Sequence, residues 1–261
     1  MNPVPRSTGC GGIAGEWPAV SVVMPTFNQA DYVGESLESV LGQGYPNIEI
    51  VVVNDGSTDE TGSLLKHFGT QVTVVFQENR GPAAARNRGI RESSGEFIAF
   101  LDADDSWPDG KVFDQVAPLL QDSSIDMTLS RVRRWELGSD GGGAFCLSGS
   151  IFYSLQLGSV VARKSVFEKV GYFDEGLALS EDQDWFLRAR ESGVRMARVE
   201  SVGLHYRVHA ESATRSPGTA CDLGLPRVLK QSLDRRRGLG GSCDPESLIS
   251  ISEIPVWKAG L

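Results

Sequence analysis

Three carboxylates, Asp102, Asp104 and Asp105, follow directly on the apolar run Phe97 to Leu101. Carboxylates this close repel one another and are costly to take out of water unless a cation neutralises them. Oxygen ligands suit hard divalent ions, Mg²⁺ or Mn²⁺, which commonly bind substrate phosphates as well. The competing role is helix capping ahead of Lys111 to Leu120, with Asp105 or Asp109 as the cap. Capping accounts for one aspartate and not for the group, which favours the metal.

A second acidic group lies in Ser180-Glu181-Asp182-Gln183-Asp184-Trp185. Acids after a capping serine complement the positive end of a helix. A carboxylate facing an acceptor hydroxyl would also serve as general base. On residue types alone the two readings are level. Asp55, in the turn-prone Asn54-Asp55-Gly56, either holds its own turn or accepts a hydrogen bond from a nucleobase N–H. Its place beside neighbouring strand ends favours the ligand. Arg86 is either a surface cation or a partner for phosphate or base. His205 and His209 are two of only three histidines, and their closeness invites a metal or phosphate role, although such pairs are more often structural.

These residues need a frame. Val20 to Met24 is a short β-branched run halted by Pro25, as a buried strand would be, and Val33, Leu37, Val40 and Leu41 then recur at helical spacing. A strand over Ile48 to Val53, a helix over about Glu60 to Phe68 and a strand over Val72 to Gln77 follow. The series continues with a helix over Pro82 to Glu92, proline at its first position, and a strand over Glu96 to Leu101. Alternation of this kind implies βαβ units and a mostly parallel sheet with helices on both faces. Ligands bind such sheets at the carboxyl ends of the strands, which is where the polar clusters fall.

After about residue 120 the regularity weakens. Met127 to Trp135 reads as a strand, Ser139 to Gly143 as a glycine-rich loop, and Ser165 to Lys169 and Asp182 to Ser192 as helices. The expected organisation is a loose leader over residues 1–17, a ligand-binding half over 18–120 and a second half of the same domain over 121–214. Residues 215–261 form a polar, irregular extension of unassigned role, with Arg235 to Arg237 a solvated basic surface.

Composition excludes more than it selects. Lys and Arg number 25 against 34 Asp and Glu, for a net charge of −9, a poor basis for gripping nucleic acid or anionic lipid. No apolar run is long enough to span a bilayer as a helix. The N-terminus lacks the basic and apolar regions of a secretory signal, and Cys10, Cys146, Cys221 and Cys243 show no metal-ligand spacing. The expectation is a cytoplasmic protein with reduced thiols.

Taken together, the motifs closely resemble glycosyltransferase family 2. The resemblance runs from Val20-Ser21-Val22-Val23-Met24-Pro25-Thr26-Phe27-Asn28 through Val53-Asn54-Asp55-Gly56-Ser57-Thr58-Asp59 and Asn79-Arg80-Gly81-Pro82-Ala83-Ala84-Ala85-Arg86-Asn87. It continues through Asp102-Ala103-Asp104-Asp105, Gly171-Tyr172-Phe173-Asp174 and Ser180 to Trp185, ending near Tyr206-Arg207-Val208-His209. It implies the A-type glycosyltransferase (GT-A) fold, an α/β architecture with a Rossmann-like sheet. It also implies metal-dependent inverting transfer from a nucleotide diphosphate sugar, most simply a UDP-sugar, to a glycan, lipid-linked or small-molecule hydroxyl.

Carried over by position, Thr26, Asn28, Asp55, Gly56, Arg86 and Asp102 match the donor-binding segments, with Asp55 on the base. Asp102 and Asp104 match the Asp-x-Asp pair that meets ribose and the diphosphate-bound Mn²⁺ or Mg²⁺, and His209 matches a histidine near that metal in some members. Asp182 matches the general base, with Glu181 the alternative. The chain lacks the Gln-x-x-Arg-Trp motif of processive members, which implies transfer of single sugars. Two rivals remain. A nucleotidyltransferase would show a basic glycine-rich loop near the N-terminus. A non-catalytic nucleotide-sugar-binding scaffold would lose the metal or base carboxylates.

Overall fold

The computed structural model describes residues 17–137, 145–209, 224–238 and 251–257. Most of the leader, the loop over Ser139 to Gly143 and three of the cysteines (Cys10, Cys221 and Cys243) lie outside the described residues. The first half alternates as its periodicity dictates: β1 (Val20–Thr26), α1 (Val33–Leu41), β2 (Ile48–Asp55), α2 (Thr61–His67), β3 (Thr73–Gln77), α3 (Pro82–Glu92), β4 (Phe97–Phe100) and α4 (Lys111–Gln121). The second half adds β5 (Met127–Leu137), β6 (Phe145–Tyr153), β7 (Val160–Arg163), α5 (Ser165–Val170), α6 (Glu181–Glu191), β8 (Met196–Val208) and α7 (Leu225–Gly238).

One sheet runs through both halves in the order β3-β2-β1-β4-β7-β5-β6, with β8 also paired to β5. Strands β3, β2, β1 and β4 are parallel, β7 is antiparallel to both β4 and β5, and β8 runs parallel to β5. Side chains alternate across β1. Val20, Val22 and Met24 pack with Leu37 and Val40 of α1, and with Val112 and Val116 of α4. Val23 faces the other way, into a cluster with Ala83 and Ile90 of α3, Phe167 of α5 and Trp185 of α6. Helices therefore cover both faces. Burying each large apolar side chain stabilises the fold by about 1.5–3 kcal/mol.

The second half departs from its sequence reading, and two strands of the first half run longer than expected: β2 continues past Val53 through Asn54 to Asp55, held by its pairing with β3. β1 continues through Pro25 to Thr26, since a missing N–H is tolerable at a strand end. Strands β6, β7 and β8 have no counterpart among the expected elements. In β8 the alternation of Ala197, Val199, Val202 and Leu204 slips where the register with β5 shifts, which hides the period. The tail expected to be irregular contains α7, whose Val228, Leu229 and Leu233 pack on Leu177 and Leu187. Arg235 there is no solvated cation: it pairs with Glu191 at 2.6 Å.

Lys111 is an outlier in this core. It is 1% exposed, at the first position of α4, where the helix dipole opposes a cation. Its ammonium donates to Gln115 Oε1 at 2.6 Å and lies 4.2 Å from the centre of the Trp107 ring. Burial pushes its pKa down to about 7. A cation whose pKa falls on folding costs stability while it is charged, and that cost fades as pH rises from the folded towards the unfolded value. Lys111→Met is thus expected to raise Tm at about pH 6, with the advantage over wild type shrinking towards about pH 10, as followed by thermal unfolding across pH.

Candidate active site

The chain winds outward from β1 to β2 and β3, then returns to place β4 on the other side of β1. Ligands settle at such a switch point, beyond the carboxyl ends of the strands. A cleft of about 360 Å³ opens there. It is lined by Thr26 and Phe27 after β1, Asp55 ending β2, Arg86 of α3, Asp102 and Asp104 after β4, and Leu179 and Glu181 at the start of α6.

Arg86 is buried at the centre and spans the cleft wall. One terminal nitrogen donates to Asp102 Oδ1 at 2.7 Å, and the other donates to Glu181 Oε1. Burial works against its charge, but Asp102 and Glu181 more than offset this and push its pKa up. The sequence alone leaves Arg86 as a surface cation or a ligand contact. The structure makes it the link between the walls that carry Asp102 and Glu181, and takes Glu181 up as its counter-ion.

Asp55 is almost wholly engaged. Its Oδ1 accepts from Gln77 Nε2 at 2.7 Å and the Arg80 N–H at 2.9 Å, and its Oδ2 accepts from the Gly81 N–H at 2.8 Å. A carboxylate has about four acceptor positions, so one remains, on Oδ2. Gly56 lies behind this wall with φ +78°, and a Cβ there would meet the Asn79 nitrogen at 2.8 Å. Asn28 also stays outside the cleft lining: its Oδ1 accepts from the Thr58 N–H at 2.8 Å, joining the loops after β1 and β2. Asn28 and Gly56 thus shape the loops. Thr26, by contrast, is buried with its hydroxyl unpartnered among the described residues.

The aspartate group divides by partner. Asp104 Oδ2 lies 3.0 Å from His209 Nε2, while Asp102 turns to Arg86. Burial, and then the charge of Asp102, raise the pKa of Asp104, and His209 counters this. Asp105 is buried and accepts the Arg207 N–H at 2.8 Å. Burial first, then Asp104 and Asp102, lift its pKa well above the ordinary range. Neither Asp105 nor Asp109 caps α4: its N-cap is Gly110, with no side-chain capping bond. Asp104 and His209 together fit two ligand positions of a divalent cation. Among the described residues no three His, Cys, Asp or Glu converge on one point, so such an ion would take further oxygens from substrate.

The histidines also separate. His209 meets Asp104 and packs on Tyr32 at 4.7 Å, whereas His205 stacks on Trp135 at 4.7 Å and 20°. Burial, with Arg133 and Arg207 nearby, pushes the His205 pKa down to about 4 and leaves it a neutral packing residue.

Asp182 stands next to Glu181 at the head of α6. Burial, then the Glu181 charge, push its pKa up to about 7 against the pull of Arg86. Ser180 before it is the N-cap but sits at φ 68°, with no side-chain capping bond. Sequence reasoning missed Phe27, 43% exposed at the cleft, and Leu179. An aromatic inside a polar cluster after a strand was the available signal for Phe27; Leu179 had none.

The glycosyl transferase family 2 model matches residues 21–142. An uncharacterized glycosyltransferase of Rickettsia prowazekii, RP339, is 32% identical over 216 residues, covering 76% of this chain and 67% of the relative. The chain belongs to glycosyltransferase family 2. Among solved structures, S. aureus TarS 1–349 in complex with UDP-GlcNAc superposes with TM-score 0.67 at 22% identity, covering 83% of this chain and 66% of that one. The mannosyltransferase PcManGT of Pyrobaculum calidifontis, in complex with GDP-Man and Mn²⁺, gives TM-score 0.62 at 22% identity, over 88% of this chain and 67% of that one. These two likenesses establish the GT-A fold. The family 2 chain thus spans about two thirds of the length of each of these three proteins. No described helix is long and apolar enough to cross a membrane.

Removing Arg86 would strand two carboxylates, one of them buried. Breaking a buried ion pair from one side costs about 3–5 kcal/mol. Arg86→Met is expected to lose stability in that range by urea denaturation, and an undiminished midpoint would show the bridge is not formed in solution.

Proposed function

We propose that the protein is an inverting, metal-dependent transferase that moves one sugar from a nucleotide diphosphate sugar to a hydroxyl acceptor. The observation that carries this reading is the gathering of Asp104, the unpartnered Thr26 hydroxyl and Glu181 around one cleft at the switch point, with His209 behind Asp104 and Asp182 next along α6 from Glu181. A divalent ion held by Asp104 and His209 would supply Lewis-acid stabilisation of charge on the leaving diphosphate.

The chain's own groups take the remaining tasks. Arg86 fixes Asp102 at the donor side and Glu181 at the acceptor side, so the two walls keep one spacing. The remaining acceptor position on Asp55 Oδ2 suits a base that offers a single imide N–H, which favours uracil or thymine over guanine with its paired N–H donors. A UDP-sugar is the donor we assign. Asp182 takes the acceptor proton as its oxygen attacks the anomeric carbon from the face opposite the leaving group. A base with pKa near 7 combines adequate ionisation with useful basicity. One displacement inverts the anomeric centre and needs no covalent sugar intermediate. The scaffold reading is weaker, because both the metal-type carboxylates and the base are present.

Two measurements test this. UDP with Mn²⁺ is expected to raise Tm, the shift vanishing with EDTA or in Asp104→Ala, since a ligand of the folded state stabilises by mass action; absence of any nucleotide shift would count against both the transferase and the nucleotide-sugar-binding scaffold and point to a degenerate member of the fold. The transfer rate is expected to climb with pH through about 7 as Asp182 ionises, and Asp182→Asn is expected to lose about 100- to 10,000-fold in kcat while binding donor normally. Full turnover in Asp182→Asn would remove it as the base.

A further inference from the structure

The helix α6 that presents Glu181 and Asp182 is gripped along its outer side by α7. Val228, fully buried, packs with Leu177 and Leu187. Arg235 Nε donates to Glu191 Oε2 at 2.6 Å and its Nη1 lies 3.5 Å from Asp184 Oδ1. Asp184 in turn holds Arg188 at 2.7 Å, and Arg188 donates to the carbonyl oxygens of Val170 at 3.0 Å and Tyr172 at 2.8 Å. The segment between α5 and α6 is therefore tied to α7 through side chains at both of its ends.

The contact nearest the cleft is a backbone one. Gly224, immediately before α7, has φ +61°, and a Cβ there would stand 2.8 Å from the Leu179 carbonyl oxygen. Leu179 lines the cleft, and the next residues are Ser180, held at φ 68°, then Glu181 and Asp182. From the opposite side, Asn87 of α3 donates to the Phe173 carbonyl at 2.9 Å and accepts the Phe173 N–H at 2.9 Å. Arg80 meets Glu175 at 2.8 Å. The segment is thus clamped between the donor-side helix α3 and the C-terminal helix α7.

We infer that α7 is a positioning element for the acceptor-side edge of the cleft, with Gly224 the positioning residue that sets where Leu179 to Asp182 stand. This inference rests on Asp182 being the base of the proposed transfer. A misplacement of about 1 Å at a reacting group costs on the order of 100-fold in rate. The nucleotide-facing walls are built by β1, β2 and α3, whereas the ion pairs of Arg235 on α7 reach α6. Disturbing Gly224 should therefore lower turnover and spare nucleotide binding.

The test compares wild type with Gly224→Ala and Gly224→Asn. Both add the same Cβ, but asparagine tolerates a left-handed backbone better, so equal effects in the two mark the contact with Leu179 rather than backbone strain. Val228→Ala serves as a second probe that leaves Gly224 in place. Three quantities are read: UDP affinity with Mn²⁺, the hydrolysis rate of UDP-glucose and UDP-N-acetylglucosamine with water as acceptor, and amide exchange over residues 177–184. The expected result is UDP affinity within about two-fold of wild type, turnover down at least about ten-fold per folded molecule, and faster exchange over 177–184 with β1 and β2 unchanged. Unchanged turnover per folded molecule, or parallel loss of UDP affinity, overturns the positioning role. Wild type that binds UDP but turns over neither sugar counts against the transferase reading, and the exchange comparison then decides on α7 by itself.

Discussion

The buried guanidinium of Arg86 is the interaction on which the site depends. It is a charge that folding must remove from water, and it is tolerable only because Asp102 and Glu181 converge on it from elements far apart in the chain. That requirement fixes α3, the end of β4 and the head of α6 relative to one another. The acidic groups nearest the cleft hang from this tripod: Asp104 two residues beyond Asp102, and Asp182 one residue beyond Glu181. The Glu181 charge that satisfies Arg86 also keeps Asp182 reluctant to ionise.

Paired engagement of this kind recurs around the cleft and separates carboxylates that composition alone cannot tell apart. Asp55 spends three acceptor positions on holding the loop before α3. Asp105 is turned inward to the β8 backbone. Asp104 leans on a histidine and Asp102 on an arginine. Asp182 accepts the neighbouring Gln183 N–H on Oδ1, which leaves acceptor capacity for a further proton donor.

The first half was legible in the sequence because each of its elements has a single, uninterrupted period. β-branched runs halt at turn residues, and α3 begins at its proline and ends at Glu92, where its pattern ends. Family 2 membership was legible in the ordered motifs. What escaped was set by non-local pairing. β8 hides its alternation behind register shifts against β5, and α7 buries a narrow stripe among charges whose partners lie on α6. The division of Asp102 from Asp104, and of His205 from His209, depends on what crosses from other elements, Arg86 and Trp135 among them. Spacing along one segment cannot encode that.

The strand order also bears on how the chain comes to be folded. A chain emerging from its N-terminus can complete β3-β2-β1-β4 early, but the neighbour of β4 is β7, about sixty residues later, and β7 in turn precedes the pairing of β8 with β5. Until β7 arrives, β4 is an open, apolar edge strand, the kind of surface that invites pairing with another chain. The Arg86–Glu181 contact closes a separation of 95 residues, so the cleft wall it braces cannot form before α6 has been added to the chain. A fragment ending before β7 would carry every motif of the first half and still lack both a sealed sheet and Glu181, the buried one of the two counter-ions of its central arginine.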